Sequence, residues 1–465
     1  MQVTPRKMDS NRDGEKWLFY GLIGLIIYLP LPLGSNRIWA WTFAEAWIFS
    51  LSAGWIILHL QKKVSLPPYW KKCWLPIAAL SCLLIFSLVQ LLPWNWSSPS
   101  PLSIMYNIDW RQVSLDPHAT LQASLKTFSY LCLFMLVIAF ITSEKRIRTL
   151  LLCFFFCGLF QAAYGGLMTL SGIEYIFFME KYAYIGKATG TFINRNHFAN
   201  YLIICIAAGT AILLIDLSIK KSSSFKQFIV KTLQFILSTK MLLRIGLAIS
   251  VVGIVLSQSR MGNTAFFVSL TVSGTLWIIL TRRISKNAIL FLISIIIIDL
   301  LIVGKWFGFE KVQQRLQSTS LQAETRDEVI RDTLLYIDDH LLMGTGGGSY
   351  YSVYPNYQSD DVKRFYRHTH NDYLQFLSEY GIIGSLFIGL FVLSTLYTAF
   401  TTMLKRKNKT MQAASFSGTM IFVALIMHSH VDFNLQIMAN AASVVIFSSL
   451  AYVARHLPTK QRLRL

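Results

Sequence analysis

Apolar residues in this chain recur in long unbroken runs separated by short basic segments, with little of the every-other-residue alternation that marks a half-buried strand. A helix needs roughly 20 mostly apolar residues to cross about 30 Å of hydrocarbon. Twelve runs meet that pattern: about 17–33, 39–60, 74–92, 127–142, 150–170, 198–217, 242–257, 264–281, 288–304, 382–404, 411–427 and 437–454. No small-residue cleavage site follows the first run, which reads as a retained span.

An even number of spans puts both termini on one side. On that side lie 28 of the 43 lysines and arginines, and eight of the other 15 fall in the long loop 305–381, where the positive-inside rule has little force. The termini therefore read as cytoplasmic. Two outward segments are long. Segment 93–126, with Pro93, Trp94, Trp96, Pro99 and Pro101, reads as an irregular surface loop. Segment 305–381 reads as a loop domain in which Leu321, Val329, Ile330, Leu334, Ile337 and Leu341 recur at helical spacing, an amphipathic helix ended by Gly344. Inside, Phe225, Phe228, Ile229, Leu233 and Ile236 form one face of a helix that carries Lys226 and Lys231, as an interfacial helix on anionic lipid would. The expected organisation is a transmembrane bundle at 1–304 (spans 1–9), the loop domain at 305–381, and spans 10–12 with a basic tail at 382–465.

Composition narrows the class. Of 465 residues, 54% are hydrophobic and only 14% charged, which excludes an ordinary soluble protein. The net charge of +20 follows from the cytoplasmic loops and calls for no nucleic acid. The six cysteines form no C-x-x-C pair and give neither a disulfide framework nor a zinc signature.

The unusual polar residues collect at outward span ends. Arg195 follows Gly190-Thr191-Phe192-Ile193-Asn194 and precedes Asn196-His197; Arg260 ends Ser257-Gln258-Ser259. His368 and His370 sit in Arg367-His368-Thr369-His370-Asn371-Asp372-Tyr373, and His428, His430, Asp432 and Asn434 lie between spans 11 and 12. Charges at membrane depth are costly and mark substrate paths. Two guanidinium forks, Arg195 and Arg260, suit a diphosphate. A histidine, with an unperturbed pKa of about 6.5, suits proton abstraction from a hydroxyl. Together they suit transfer of a group from a lipid diphosphate to an alcohol, with the arginines stabilising charge on the leaving diphosphate. No nucleotide is needed, because the lipid-linked donor is already activated.

Each residue also has a plainer reading. Arg195 or Arg260 alone fits a headgroup contact or ion pair, His368 a loop cap, and His428 and His430 satisfied interfacial residues. Tyr350, Tyr351, Tyr354, Tyr357 and Tyr366 fit an aromatic belt or a loop core better than sugar platforms. The run Gly344-Thr345-Gly346-Gly347-Gly348-Ser349 lacks the Gly-Lys-Ser/Thr ending of a phosphate loop and reads as a flexible turn. His368-x-His370 has no carboxylate or cysteine set to complete a metal site.

From about 150 to 440 the chain resembles the O-antigen ligase and O-antigen polymerase superfamily of bacterial inner-membrane glycosyltransferases. Three stretches carry the resemblance: Gly190 to Ala199, Ser257 to Gly262, and Gly344 to Ser349 followed by His368 to Gln375. The third is the most specific. His370-Asn371 is followed by nine residues and then Gly381-Ile382-Ile383-Gly384, as in ligases, except that Ser385 stands where the pattern has Thr. The resemblance implies an all-α polytopic membrane protein with about 12 transmembrane helices, GT-C-like, with one large periplasmic loop domain. It implies a metal-independent, inverting glycosyltransferase of lipopolysaccharide or related polysaccharide biosynthesis, multi-pass in the inner membrane and active on the periplasmic face. The donor would be a glycan on undecaprenyl diphosphate; the acceptor would be a hydroxyl of lipid A core, another glycolipid, a glycan or a protein. Carried over by position, His370 is the base and Arg195 and Arg260 bind the diphosphate, with His368, Asn371, Asp372, Asn194 and Asn196 in support and no cofactor.

The shared motifs do not select an acceptor, so an O-antigen or exopolysaccharide polymerase and a protein O-oligosaccharyltransferase remain alternatives. A third class is a non-enzymatic polysaccharide transporter or lipid flippase. Such proteins tend to show similar halves and midplane polar residues; here the halves show no similarity, and only Glu45 and Asp216 depart from the one-faced pattern.

Overall fold

The computed structural model describes residues 10–93, 113–215, 239–281 and 326–458, with Ile293 as an isolated position. Among them are thirteen α-helices and one two-stranded sheet. The helices are α1 (Ser10–Tyr28), α2 (Ile38–Leu60), α3 (Trp74–Val89), α4 (Pro117–Phe140), α5 (Glu144–Ser171), α6 (Arg195–Ile215), α7 (Thr239–Leu256), α8 (Arg260–Thr281), α9 (Arg326–Asp339), α10 (Tyr350–Val353), α11 (Asp372–Lys405), α12 (Lys409–His428) and α13 (Met438–His456). Among the described residues nine segments are long and apolar enough to cross a membrane, and α7 carries a shorter apolar stretch, Met241–Leu256. The chain is an all-α polytopic membrane protein.

Every predicted run except 288–304 falls on one of these helices. That run (Ile293 apart), the Phe225–Ile236 face, Leu321 and Asp216 lie outside the described residues.

The bundle is layered by polarity and by burial. α6, α12 and α13 are buried over most of their length, whereas only 22% of the apolar window of α2 and 33% of that of α11 is buried. The buried helices are rich in Ala, Ser and Gly, which lets backbones approach closely where no hydrophobic effect drives helices together. Serine and threonine hydroxyls on them turn back to their own helix, as Ser443 does to Ala439 O (2.6 Å) and Ser448 to Val444 O (2.8 Å).

Two boundaries differ from the sequence reading, and both matter to the site. The segment 93–126 is not wholly irregular: α4 begins at Pro117, capped by Asp116, which accepts from Ala119 N at 2.9 Å. Its first turns carry Thr120, Gln122, Ser124 and Lys126, which dilute the hydropathy. Thr120 and Ser124 are nonetheless buried, Thr120 against Ser114 and Ser124 against Ser87, each at 2.7 Å. Likewise α11 starts at Asp372, ahead of its apolar run, because Asn371 caps it by accepting from Tyr373 N (3.0 Å) and Leu374 N (3.2 Å). A bend at Gly381 (φ 59°, ψ −167°) separates this polar first part from the apolar remainder.

The loop segment forms a small second core. α9 and α10 bury Val329, Tyr336, Tyr350, Val353, Tyr354 and Val362 together, with the Tyr336, Tyr350 and Tyr354 rings stacked. Asp332 is buried beneath them, accepting from Ser359 N (3.0 Å) and Ser359 Oγ (2.9 Å). The Gly344–Ser349 run is a fixed, buried turn rather than a flexible one. Thr345 N donates to Ser378 O (3.1 Å) and Gly346 N to Glu379 O (2.9 Å), so the turn is hydrogen-bonded to the start of α11. Gly344, Gly346 and Gly348 all take positive φ. Backbone pairing of this kind needs the conformations that only glycine adopts cheaply.

Candidate active site

Four elements meet at one end of the bundle: the N-termini of α6, α8 and α11, and the turn between α12 and α13. Each is held by its own local chemistry. Before α6, Thr191 N donates to Gln161 Oε1 (2.9 Å), Gln161 Nε2 to Thr191 Oγ1 (2.8 Å), and Thr191 Oγ1 to Pro30 O (2.6 Å). Asn194 then accepts from Asn196 N at 2.8 Å and opens the helix on which Arg195 is the first residue. Before α11, Asn371 N donates to Thr369 Oγ1 at 2.9 Å. Asp372 ties this start to the α12–α13 turn: its N donates to Ser429 O (2.9 Å), and its carboxylate accepts from Ser429 Oγ (2.9 Å) and Leu435 N (3.3 Å).

At the centre is a buried carboxylate between two imidazoles. Asp432 Oδ1 lies 3.5 Å from His370 Nδ1 and 3.5 Å from His197 Nε2. Burial alone would raise the Asp432 pKa, but the adjacent imidazoles of His197 and His370 hold the carboxyl well below its ordinary range. His370 stands at φ +54°, a left-handed conformation uncommon for a residue with a side chain. Its ring is 22% exposed, while Nδ1 is buried, so the open part of the ring is the part turned away from Asp432.

Phe433 is the wall beside this group. Its ring meets His197 edge-on at 4.6 Å and His370 at 4.8 Å, and stacks on His368 at 4.3 Å. On its other side is a cavity of about 490 Å³ between α2, α3, α4, α11 and α13. Arg37, Lys126, Arg367, His368, Gln375 and Glu379 supply its polar lining, and Leu80, Leu83, Phe387, Phe391, Val444 and Val445 its apolar lining. Lys126 Nζ sits 4.3 Å from the Trp41 ring centroid. Gln375 Nε2 donates to His368 Nδ1 (2.9 Å) and to Glu379 Oε1 (3.0 Å). His368 lies deep in the protein but faces this cavity; burial pushes its pKa down to about 3, so it is neutral at physiological pH.

Arg195 Nη1 donates to Gln258 O at 3.1 Å, so the α6 start abuts the turn that ends in Arg260. The Arg195 guanidinium also lies over the Tyr184 ring at 5.7 Å. Arg260 opens α8 with its side chain exposed. The structure thus brings the Asn194–His197, Ser257–Arg260 and His368–Asp372 stretches into one neighbourhood: Arg195 adjoins the Arg260 turn, and His197, two residues on, shares Asp432 with His370. Of the predicted residues only His368 lines the 490 Å³ cavity; Arg195, Arg260 and His370 lie outside its lining. Asn194, Asn371 and Asp372 act through backbone: two open helices, and the third clamps the turn.

His197, Asp432, Phe433, Lys126, Gln375 and Glu379 were not among the predicted site residues. Asp432 had a signal, an acid in an outward turn beside two histidines, and His197 lay inside a quoted motif. Lys126 and Glu379 had none, because their segments read as loop. Of the turn histidines, His430 is exposed, with Nδ1 2.8 Å from Ile426 O, whereas His428 is fully buried and neither of its ring nitrogens has a hydrogen-bond partner among the described residues.

Residues 245–389 match the family model described as O-antigen ligase. Over those residues the chain is similar to O-antigen ligases. The matched stretch contains Arg260, His368, His370 and Glu379, and leaves Arg195, His197 and Asp432 outside. No curated protein matches the chain.

Proposed function

From a chain that carries an O-antigen ligase match, we propose a ligase-type glycosyltransferase that moves a glycan from undecaprenyl diphosphate to an acceptor hydroxyl at the periplasmic face of the inner membrane, in a GT-C-like bundle with cytoplasmic termini. The observation that carries this reading is the His370–Asp432 pair, at 3.5 Å, beside the arginine-bearing starts of α6 and α8.

The Asp432 carboxylate, 3.5 Å from His370 Nδ1, favours the proton on that nitrogen, which leaves the lone pair on Nε2 for the acceptor hydroxyl. The carboxylate both fixes the tautomer and stabilises the imidazolium that forms. In one displacement the acceptor oxygen bonds to the anomeric carbon and its proton passes to His370 Nε2. The bond from anomeric carbon to phosphate oxygen breaks, its electron pair leaving with the prenyl diphosphate. Inversion follows from a single displacement. Arg195 and Arg260 neutralise the charge that grows on the diphosphate, a role for which a planar donor fork is suited. The His370-Asn371-x9-Gly381-x-x-Gly384 spacing favours ligase over polymerase.

The test is transfer by purified protein from a lipid-diphosphate-linked glycan to a lipid A core acceptor, followed by product mass. Covalent product, undiminished by a metal chelator, supports the reading. Substrate flux across vesicles without covalent product contradicts it.

A further inference from the structure

The segment between α5 and α6 carries an apolar surface that no described residue covers. β1 (Tyr175–Ile176) and β2 (Met179–Glu180) pair antiparallel as a hairpin, with Tyr175 opposite Glu180 and Ile176 opposite Met179. Tyr175, Phe177, Met179, Tyr182 and Ile185 are exposed, and Phe178 at the tip is 100% exposed. A loop built for water would show the reverse pattern, polar outside and apolar inside.

Here two of the charged groups, Glu174 and Lys181, are turned inward, while Glu180 beside Met179 stays exposed. Glu174 accepts from Lys181 Nζ (2.7 Å) and Gly186 N (2.8 Å), and Lys181 Nζ also donates to Lys187 O (2.5 Å). The hairpin is also fastened to its helix. Tyr164 of α5 stacks between Phe160 (5.8 Å) and Phe177 (5.6 Å); its hydroxyl accepts from Phe177 N (2.7 Å) and donates to Tyr175 O (3.1 Å). The Phe177 ring and the backbone that carries its exposed neighbours are therefore held in place. Their surface continues that of α5, a membrane-crossing helix whose last turns expose Leu167 and Leu170. Contiguous exposed apolar surface of this kind marks an interaction site, and continuity with a lipid-facing helix identifies the occupant as lipid. The inner side of the same segment reaches the site: Tyr184 lies under Arg195, and the Tyr182 hydroxyl accepts from Arg37 Nη2 (2.9 Å) at the cavity lining.

We propose that this hairpin is a membrane wedge: Phe177, Phe178 and Met179 insert into the leaflet at the active-site end of the bundle, and Tyr182 and Tyr184 thereby hold Arg37 and Arg195 at the level of the lipid phosphates. Aromatic side chains settle at such interfaces.

The test reads depth, so it is independent of the reaction. A nitroxide is placed by Phe178→Cys in the full chain with its native cysteines replaced, reconstituted in phosphatidylethanolamine–phosphatidylglycerol vesicles. Its collision rates with oxygen and with a water-soluble nickel chelate are compared with those of a label at Asp361→Cys, where the native side chain is 75% exposed. The wedge requires oxygen to dominate at 178 and nickel at 361; the same nickel-dominated ratio at both overturns it. Should the cysteine-free chain fail to fold, a photo-crosslinking phenylalanine analogue at 178 in the native background serves. Crosslinks to radiolabelled phospholipid support the wedge, and crosslinks to protein alone overturn it.

Discussion

Asp432 ties two imidazoles from distant parts of the chain to a single carboxylate oxygen, and what that does to His370 is a question of charge. An amide in its place keeps the size but loses the charge that favours the Nδ1-protonated tautomer and the imidazolium. Asp432→Asn should lower kcat by about 10²–10⁴-fold, the range that general-base catalysis supplies. The KM for the lipid donor should change little, because the arginines are untouched. Steady-state kinetics check this, and a raised KM with normal kcat would place Asp432 in substrate binding instead. His368 behaves differently. In the folded protein it takes a proton only near pH 3, against 6.5 for the ordinary side chain. Between those values unfolding takes up a proton, so stability is full above about pH 6.5 and declines as pH falls, by up to about 1.4 kcal/mol per pH unit. Asp432, with its lowered pKa, adds stability that is lost only below about pH 3.9, which overlaps the bottom of that window but not the range above about pH 4.5. His368→Gln should therefore flatten the fall in melting temperature between pH 6.5 and 4.5 in detergent. At this scale the sequence showed which side chains are chemically able, through their outward position and residue type. It did not show that His370 pairs with Asp432 rather than lining the cavity, because that pairing is made by contact between segments far apart in the chain.

The helices were legible where their apolar runs were unbroken and illegible where buried polar turns extend them. The first turns of α4 and α11 look like loop because Lys126, Gln375 and Glu379 lower the hydropathy, yet these residues line the cavity. The α11 bend depends on two glycines that face each other across the loop segment. A Cβ on Gly381 would collide with the Leu342 carbonyl, and one on Gly344 with the Glu379 carbonyl. Both also have φ near +60°. Gly381→Ala should thus cost on the order of 1–3 kcal/mol, and it should loosen the loop segment from the start of α11. The melting temperature should fall, and transfer activity should fall with it, since His368 and His370 are carried by that junction. An unchanged melting temperature would mean that the bend is not set here.

Across the whole molecule, the three motif stretches share an end because α6, α8 and α11 all start there. Helices that start at the same face of a bundle bring their N-termini together, however far apart they are in sequence. This much the hydropathy pattern contained. The burial order, with α6, α12 and α13 inside, it did not contain, because central and lipid-facing helices are equally apolar. Under the ligase reading, a strain lacking this protein should lose surface-attached glycan altogether. Attachment of single repeat units in that strain, seen by gel analysis of surface lipids, would instead indicate a polymerase.

The most direct measurement is the rate of glycan transfer from prenyl diphosphate by reconstituted His370→Ala, in a sample whose circular dichroism and melting temperature match those of the unmodified protein. The account predicts a loss of about 10²-fold or more. Transfer at the unmodified rate would remove His370, and with it the Asp432 pairing, from the chemistry.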